Sequence, residues 1–459
     1  MNIIILGDII LDRNIYCNSK KINSETPNIV FNYNYQNYNL GGCVNVAQIL
    51  KNLDNNVFLL SVLGNDSNAN ILCKLLDDNN ITNEYLILSN RPTTIKERFI
   101  CNTRQIFRID NEITDKITSN IEEEIYTKFL EICDKNNIDG LIISDYNKGI
   151  ITHDLSKKII SHCNSHDILT FVDPKPENIN NYYNITLLKP NRYEFSQLSK
   201  NKSDISDISN YRFLTKKYNI KYLLVTLDKD GMNLFNSEKN KLINFKNEIT
   251  MNNLLVDTTG AGDIVIAVFV NFYLREKNLN KSINYANKLS SYSVTVTGNL
   301  KVTKLLVKKI IFKSKIITLN EFKEINRSNV IVFTNGCFDI LHSGHLDYLN
   351  KSKKLGDILI IGLNSDNSVK LNKGSSRPIN NVQERASMLS GFPFVDYIII
   401  FDEKTPYNLI KEIKPDILVK GSDYTREEVI GNDLVKKVIL IDYKKGFSTS
   451  NIINKIKST

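Results

Sequence analysis

The sequence predicts an α/β protein with mostly parallel sheets, divided into two domains. Three observations carry that expectation. Short apolar runs recur between longer helix-like segments, at residues 2–6, 57–62, 140–144, 168–173, 221–226, 329–333, 357–364 and 395–401. That is the rhythm of buried strands spaced by crossover helices. The chain has 459 residues, more than one ordinary core organises. The rhythm also stops near residue 315 and restarts with a fresh strand at 329. The expected division is a first domain over 1–315, a linker or lead-in helix over 316–328, and a second domain over 329–459.

Along the chain, the start (MNIIILGDIILDRN) meets Asp8 and Asp12 before any apolar run is long enough for export. Residues 13–40 and 91–110 break the rhythm with polar/apolar alternation. They read as antiparallel strands with one solvated face, a small β flap over a site. Exposed strand edges of that kind are often paired, which suggests a homodimer. The basic stretch 299–317 has apolar pairs at helical spacing; such a stretch can bind a membrane surface or nucleic acid, and more often it is a last helix with its polar side in water. Thr318 with Glu321 matches a capping box at the start of the lead-in helix.

Composition sets the surroundings. The seven cysteines (17, 43, 73, 101, 133, 163 and 337) are scattered, odd in number and without CxxC spacing, as in a reducing compartment. No stretch approaches the ~18 consecutive apolar residues of a membrane span. The expectation is a cytoplasmic protein without membrane or nucleic-acid partners. Its net charge of +9 reads as a Lys-rich surface or a bias toward anionic substrates.

The first chemical signal is Asp257-Thr258-Thr259-Gly260-Ala261-Gly262-Asp263 ahead of an apolar helix. Small residues at a helix start leave backbone N–H groups free to meet an anion. Phosphoryl transfer needs such donors, and a carboxylate to take the attacking hydroxyl's proton. Asp263 suits that base, although a capping Asp behind a glycine turn has the same pattern. Gly41-Gly42-Cys43-Val44-Asn45 precedes another helix and offers close backbone approach, with Asn45 as a hydroxyl partner. Asp8 and Asp12 follow the first strand, where ligands collect in open α/β sheets. Asn191 and Glu194, then Thr226 and Gly231, follow two further strands.

In this order these pieces resemble the ribokinase-like (PfkB) sugar kinases, over residues 1 to about 312. GDIILDR, NSETPNIV, GGCVNVA, RPTTIK, SDYNKG and VDPKP look like the heptose 7-phosphate kinase branch. The resemblance implies a ribokinase-like fold, Asp263 as base, and Gly260, Ala261 and Gly262 as anion hole. Asn191 and Glu194 would order Mg2+ and phosphate, with Thr226 and Gly231 on the ATP side. Asp12, Gly42 and Asn45 would hold sugar hydroxyls. Arg13 and Arg108 are the preferred partners of the substrate's own phosphate, with Lys96, Arg98 and Lys175 in reserve. Cys43 and Val44 stand where the family usually has smaller residues.

The second signal is Asn335-Gly336-Cys337-Phe338-Asp339-Ile340-Leu341-His342-Ser343-Gly344-His345 between a strand and a helix. Imidazoles at a helix start can donate to phosphates, and Gly344 allows close approach. No Cys or carboxylate set with ligand spacing accompanies the pair, so no resident protein-held metal is expected. His162 and His166 stand four apart without a third ligand and read as surface.

This string strongly resembles the HxGH nucleotidyltransferases, of Rossmann-like fold. LNSDNSVKLNKGSSRP, QERASML, VDYIIIFDEKTP, PDILVKGSDY and GFSTSNII extend the likeness to the heptose 1-phosphate adenylyltransferase branch over nearly all of 327–459. The resemblance implies that His342 and His345 stabilise the transition state and that Lys354, Lys373 and Arg377 neutralise phosphates. Asn335, Gly336, Phe338, Gly344 and Asp366 would contact the nucleotide, with Ser448 and Thr449 closing on it. Ser422 replaces a glycine usual in the family. Together the two resemblances imply one bifunctional enzyme. Its first domain would phosphorylate D-glycero-β-D-manno-heptose 7-phosphate with ATP and Mg2+. Its second would adenylylate heptose 1-phosphate to ADP-heptose, the donor for lipopolysaccharide core.

Overall fold

The computed structural model describes the chain except residues 23–28, 102–103, 200–204, 248–256, 297, 299, 326–327 and 443–459. The chain divides into two compact units, Met1–Thr303 and Lys304–Thr459.

The first unit contains β1 (Asn2–Gly7), β2 (Ile9–Ile22), β3 (Ile29–Gly42), β4 (Asn56–Gly64), β5 (Leu86–Ser89), β6 (Ile95–Cys101), β7 (Arg104–Asn111) and β8 (Gly140–Ser144). It continues with β9 (Leu169–Asp173), β10 (Ile185–Leu188), β11 (Ile220–Thr226), β12 (Met232–Asn236) and β13 (Lys241–Phe245). Nine of these form one sheet in the order β13-β12-β11-β10-β9-β8-β1-β4-β5. Its strands are parallel from β5 to β11 and antiparallel over the last two. The central strands are buried on both faces, with Ile3, Ile4, Ile5, Leu141, Ile142 and Ile143 fully enclosed. Burial on both sides is why they read as unbroken apolar runs. From β1 the chain builds outward to β4 and β5, then returns to the other side with β8, so the order reverses between β1 and β8. At such a reversal the loops leaving the strand ends splay apart and open a crevice.

The flap is a separate sheet in the order β3-β2-β6-β7. Its two hairpins are antiparallel, but they join through a parallel seam between β2 and β6, with Leu11 opposite Ile95 and Cys17 opposite Cys101. The expectation of purely antiparallel strands is corrected here. Each hairpin leaves the body on its first strand, and two first strands laid side by side run the same way.

The second unit has β14 (Ile331–Gly336), β15 (Ile358–Asn364), β16 (Tyr397–Phe401), β17 (Ile417–Gly421) and β18 (Lys437–Ile441). All are parallel, in the order β16-β15-β14-β17-β18, so this sheet reverses between β14 and β17. The basic stretch expected as a last helix forms only Lys304–Ile310, and Ile316 pairs with Ile398 beside β16. The Thr318 capping box forms both of its bonds but starts a single turn, Leu319–Phe322. Lys308 donates to Glu321 at 2.8 Å and ties that turn back to the preceding helix.

Candidate active sites

A cavity of about 780 Å³ lies at the strand ends of the first unit. Asn191, Glu194, Thr226, Gly231, Gly260, Ala261, Gly262 and Asp263 all line it, so one site collects the residues predicted for the phosphoryl side. Helix Ala261–Glu276 begins at Gly260, whose φ of 73° favours glycine. Asp263 sits in its first turn with 6% exposure. Both carboxylate oxygens are held: Asn45 Nδ2 donates to Oδ2 at 2.7 Å and the Tyr146 hydroxyl to Oδ1 at 2.7 Å. Burial raises the Asp263 carboxyl above its usual range, opposed by those two bonds and by Lys189, while Asp12 adds to the rise.

Around that carboxylate the cavity wall is charged. Lys189, 3% exposed, meets Asp173 at 3.0 Å. Burial pushes the Asp173 carboxyl up to about 7, against the pull of Lys189 and with Glu194 and Asp263 adding to the rise. Asn191 and Glu194 form a reciprocal capping box at the start of helix Arg192–Leu198. The other Glu194 oxygen accepts from Lys175 Nζ at 2.6 Å. Gly42, at φ 63°, leads into the helix carrying Asn45; a Cβ there would lie 2.3 Å from the Asp8 carbonyl oxygen.

Strand register sorts the flap's charges. Side chains alternate between the two faces of a strand. Asp12 stands opposite Lys96, which stands opposite Asp110, and Arg98 stands opposite Arg108; these five share one face. Arg98 donates to Asp12 at 2.6 Å, and Arg108 pairs with Asp110 at 2.8 Å. Arg13 points the other way, ion-paired to Glu97 at 2.7 Å and bonded to Gln36. Arg13, preferred above as a partner of the substrate's phosphate, thus lies on the face opposite Asp12, and Arg98 stands beside Asp12. The 23–28 part of NSETPNIV lies outside the described residues.

In the second unit, Asn335 and Gly336 end β14 beside Lys420 at the end of β17. His342 caps helix Ser343–Lys353, and its ring stacks on His345 at 3.9 Å. Phe338, at φ 46°, packs edge-on against His345 at 5.3 Å. Gly344 is buried in the same turn. Burial, then the neighbouring His342, pulls His345 down to about 4, so its imidazole is neutral near pH 7.

Asp339 pins the loop. It accepts from Arg377 at 2.6 Å and from the backbone of Ile379 and Asn380. Lys373 ends helix Asp366–Lys373, close enough for its charge to act on Cys337. Lys354 is not brought in: it closes the helix that His342 opens, and twelve residues at 1.5 Å rise put it roughly 18 Å along the axis. Ser448 and Thr449 lie outside the described residues.

Several residues escaped the sequence reading: Tyr146, Asp173 and Lys189 in the first unit, Lys420 and Arg385 in the second. All but Arg385 stand at or just beyond the end of a parallel strand, and all but Lys189 lie inside the strings SDYNKG, VDPKP, QERASML and PDILVKGSDY; those are the signals that could have marked them. Lys420 Nζ donates to the Asn335 carbonyl at 3.1 Å, and burial pulls its ammonium down to about 8. Arg385, 1% exposed, donates to the carbonyls of Asn380, Cys337 and Asn364 and to Asp366 at 2.7 Å. It thus ties the histidine loop to the end of β15 and to the Asp366 helix. Arg385→Leu leaves those acceptors without their donor and should destabilise the second unit by about 3 kcal/mol. Denaturant unfolding with an unchanged midpoint would contradict this.

Residues 2–303 match the pfkB family carbohydrate kinase profile, and residues 333–459 the cytidylyltransferase-like profile. A relative from Campylobacter fetus subsp. fetus (strain 82-40), named Bifunctional protein HldE, is 38% identical over 100% of both chains. One of the same name from Helicobacter pylori strain J99 is 39% identical over 100% of this chain and 99% of its own. Among solved structures, phosphofructokinase-2 from Escherichia coli superposes with a TM-score of 0.55 at 18% identity, covering 68% of this chain and 98% of that one. Ribokinase from Arabidopsis thaliana gives 0.52 at 18% identity, covering 68% and 97%. These two likenesses show the fold.

Proposed function

Because the chain belongs to the bifunctional HldE family, with a pfkB-type carbohydrate kinase followed by a cytidylyltransferase-like domain, we infer that it makes ADP-heptose by two ATP-dependent reactions. The first phosphorylates D-glycero-β-D-manno-heptose 7-phosphate to the 1,7-bisphosphate. The second joins AMP from ATP to D-glycero-β-D-manno-heptose 1-phosphate and releases pyrophosphate. A phosphatase acting between them must remove the 7-phosphate. The observation that carries the reading is the pairing of Asp263, held in a glycine-started helix turn, with the stacked His342 and His345 at the other unit's sheet reversal.

In the kinase, Asp263 takes the proton of the sugar hydroxyl as that oxygen attacks the γ-phosphorus and ADP leaves. The backbone N–H groups of residues 260–262 receive charge developing on the phosphoryl oxygens. Asp12 and Asn45 hold the sugar, and the Lys96, Arg98 and Arg108 face receives its phosphate. Among the described residues no three metal-ligating side chains cluster. Glu194 and Asn191 offer only oxygen, which suits a cation that keeps its waters and binds through one or two carboxylates and the nucleotide. Those two residues would hold Mg2+ arriving with ATP, and the ion would neutralise phosphate charge. In the transferase, a phosphate oxygen of the sugar attacks the α-phosphorus directly, with His342, His345 and Lys373 neutralising charge.

We place the enzyme in the cytoplasm, where ATP is supplied, and as a homodimer through the flap strands; a monomeric mass in light scattering would remove the dimer. None of the helices among the described residues is long and apolar enough to cross a membrane. The deciding experiment mixes the protein with ATP, Mg2+ and heptose 7-phosphate, with and without a 7-phosphatase, and reads products by mass spectrometry. The expected result is bisphosphate alone without the phosphatase and ADP-heptose with it. Turnover of other sugar phosphates in place of heptose would reassign the substrate.

A further inference from the structure

Both oxygens of the Asp263 carboxylate are already engaged, and the two donors come from different parts of the fold. Asn45 stands in the helix Cys43–Asn52, and Tyr146 stands just past the end of β8. Each donates at 2.7 Å, one to each oxygen. A carboxylate oxygen has two lone-pair sites, so each keeps one for an incoming hydroxyl while the plane of the group is set.

The turn carrying Tyr146 is itself fixed. The Tyr146 and Lys148 backbone N–H groups donate to Asp8 Oδ2 at 2.8 and 3.1 Å, and Asp8 is 1% exposed. Asp8 follows β1 and Tyr146 follows β8, so this bracing lies at the reversal of the sheet. Tyr146 therefore has a defined position from which to hold the carboxylate.

We propose that Tyr146 is a positioning residue of the phosphorylation reaction: its hydroxyl bond keeps the Asp263 carboxylate ionised, while Asn45 holds the orientation of the group. The proposal rests on the reading of Asp263 as base. Burial and the adjacent Asp263 push the Tyr146 phenol well above its usual range, so it stays a donor at working pH. The other groups facing Asp263 are Asp12 from β2, Asp173 from the end of β9, Lys189 from beyond β10 and the Cys43 thiol. Burial keeps that thiol protonated. Asp12 and Asp173 oppose ionisation of Asp263 and Lys189 favours it, so loss of the Tyr146 bond shifts a contested balance toward the acid form.

Tyr146→Phe removes the hydroxyl alone. Its absence raises the Asp263 pKa, so the acid limb of kcat/KM for phosphorylation should move to higher pH by about one unit. Below that limb the rate should fall about tenfold, and toward alkaline pH it should approach wild type. KM for ATP and adenylyl transfer by the same chain should not change. A merely structural role would lower the rate at every pH instead. An acid limb superimposing on wild type, or a uniform loss at all pH values, overturns the proposal while leaving Asp263 as base. Asp263→Asn separates the two: phosphorylation surviving that change removes the base itself, and the proposal with it. If Tyr146→Phe fails to fold, 3,5-difluorotyrosine at position 146 keeps volume and hydroxyl while strengthening the donor. It should move the limb to lower pH, and an unmoved limb overturns the proposal.

Discussion

Asp263→Ala is expected to lower kcat for heptose 7-phosphate phosphorylation by roughly 10²–10⁴-fold, the range that positioned proton transfer contributes. The carboxylate meets the attacking hydroxyl's proton only as the bond to phosphorus forms. The loss should therefore appear in kcat and in kcat/KM alike, with little change in KM. Adenylyl transfer by the same protein is the internal control, because its histidines belong to the other compact unit. Coupled detection of ADP on one hand and pyrophosphate on the other separates the two rates. Phosphorylation within a few-fold of wild type would show that Asp263 serves only to hold Asn45 and Tyr146.

His345→Ala should do the reverse, lowering adenylyl transfer by roughly 10²–10³-fold, the cost of removing one preorganised donor to a developing charge, with phosphorylation unchanged. His345 packs between His342 and Phe338, so its imidazole is held before ATP arrives. Its pKa of about 4 lies below the ordinary 6.5 because of burial and then His342. At neutral pH it therefore offers a neutral N–H donor. The same shift has a consequence for stability. Between pH 6.5 and about 4 the unfolded chain binds a proton there that the folded chain does not, so this group makes the second unit less stable as pH falls through that window. In His345→Ala that contribution disappears. Acid denaturation followed from pH 7 to 4 should show a shallower decline for the variant, and parallel curves would contradict it.

The elements of both sheets were legible because parallel strands enclosed on two sides leave unbroken apolar runs, as at Ile3, Ile4 and Ile5. The glycine-started helix at Gly260 and the histidine turn at 342–345 were legible because their chemistry is local. What escaped depends on partners far apart in sequence. Tyr146 meets Asp263 across 117 positions, and Arg385 reaches Cys337 across 48. Nothing near either residue announces its partner. The face on which Arg13 lies was not legible, because alternation tells which residues share a face but not their partners; those follow from the pairing of Asp12 with Lys96 and Arg13 with Glu97. For Lys354 the missing information was its distance from His342. The resemblance carried it over, and only the straight helix between the two residues sets their separation.

The seam between β2 and β6 makes the flap one sheet instead of two separate hairpins. Asp8 alone separates β2 from β1, and Leu11 N–H bonds to the Thr94 carbonyl just ahead of β6, so both hairpins are tethered along one border. Gly42 leads directly into the helix Cys43–Asn52, so β3 returns to the body at the same border from which β2 leaves it. Asp12 and Arg98 are bonded across the seam, so the residue we assign to the sugar's hydroxyls and one we assign to its phosphate are held in one fixed relation.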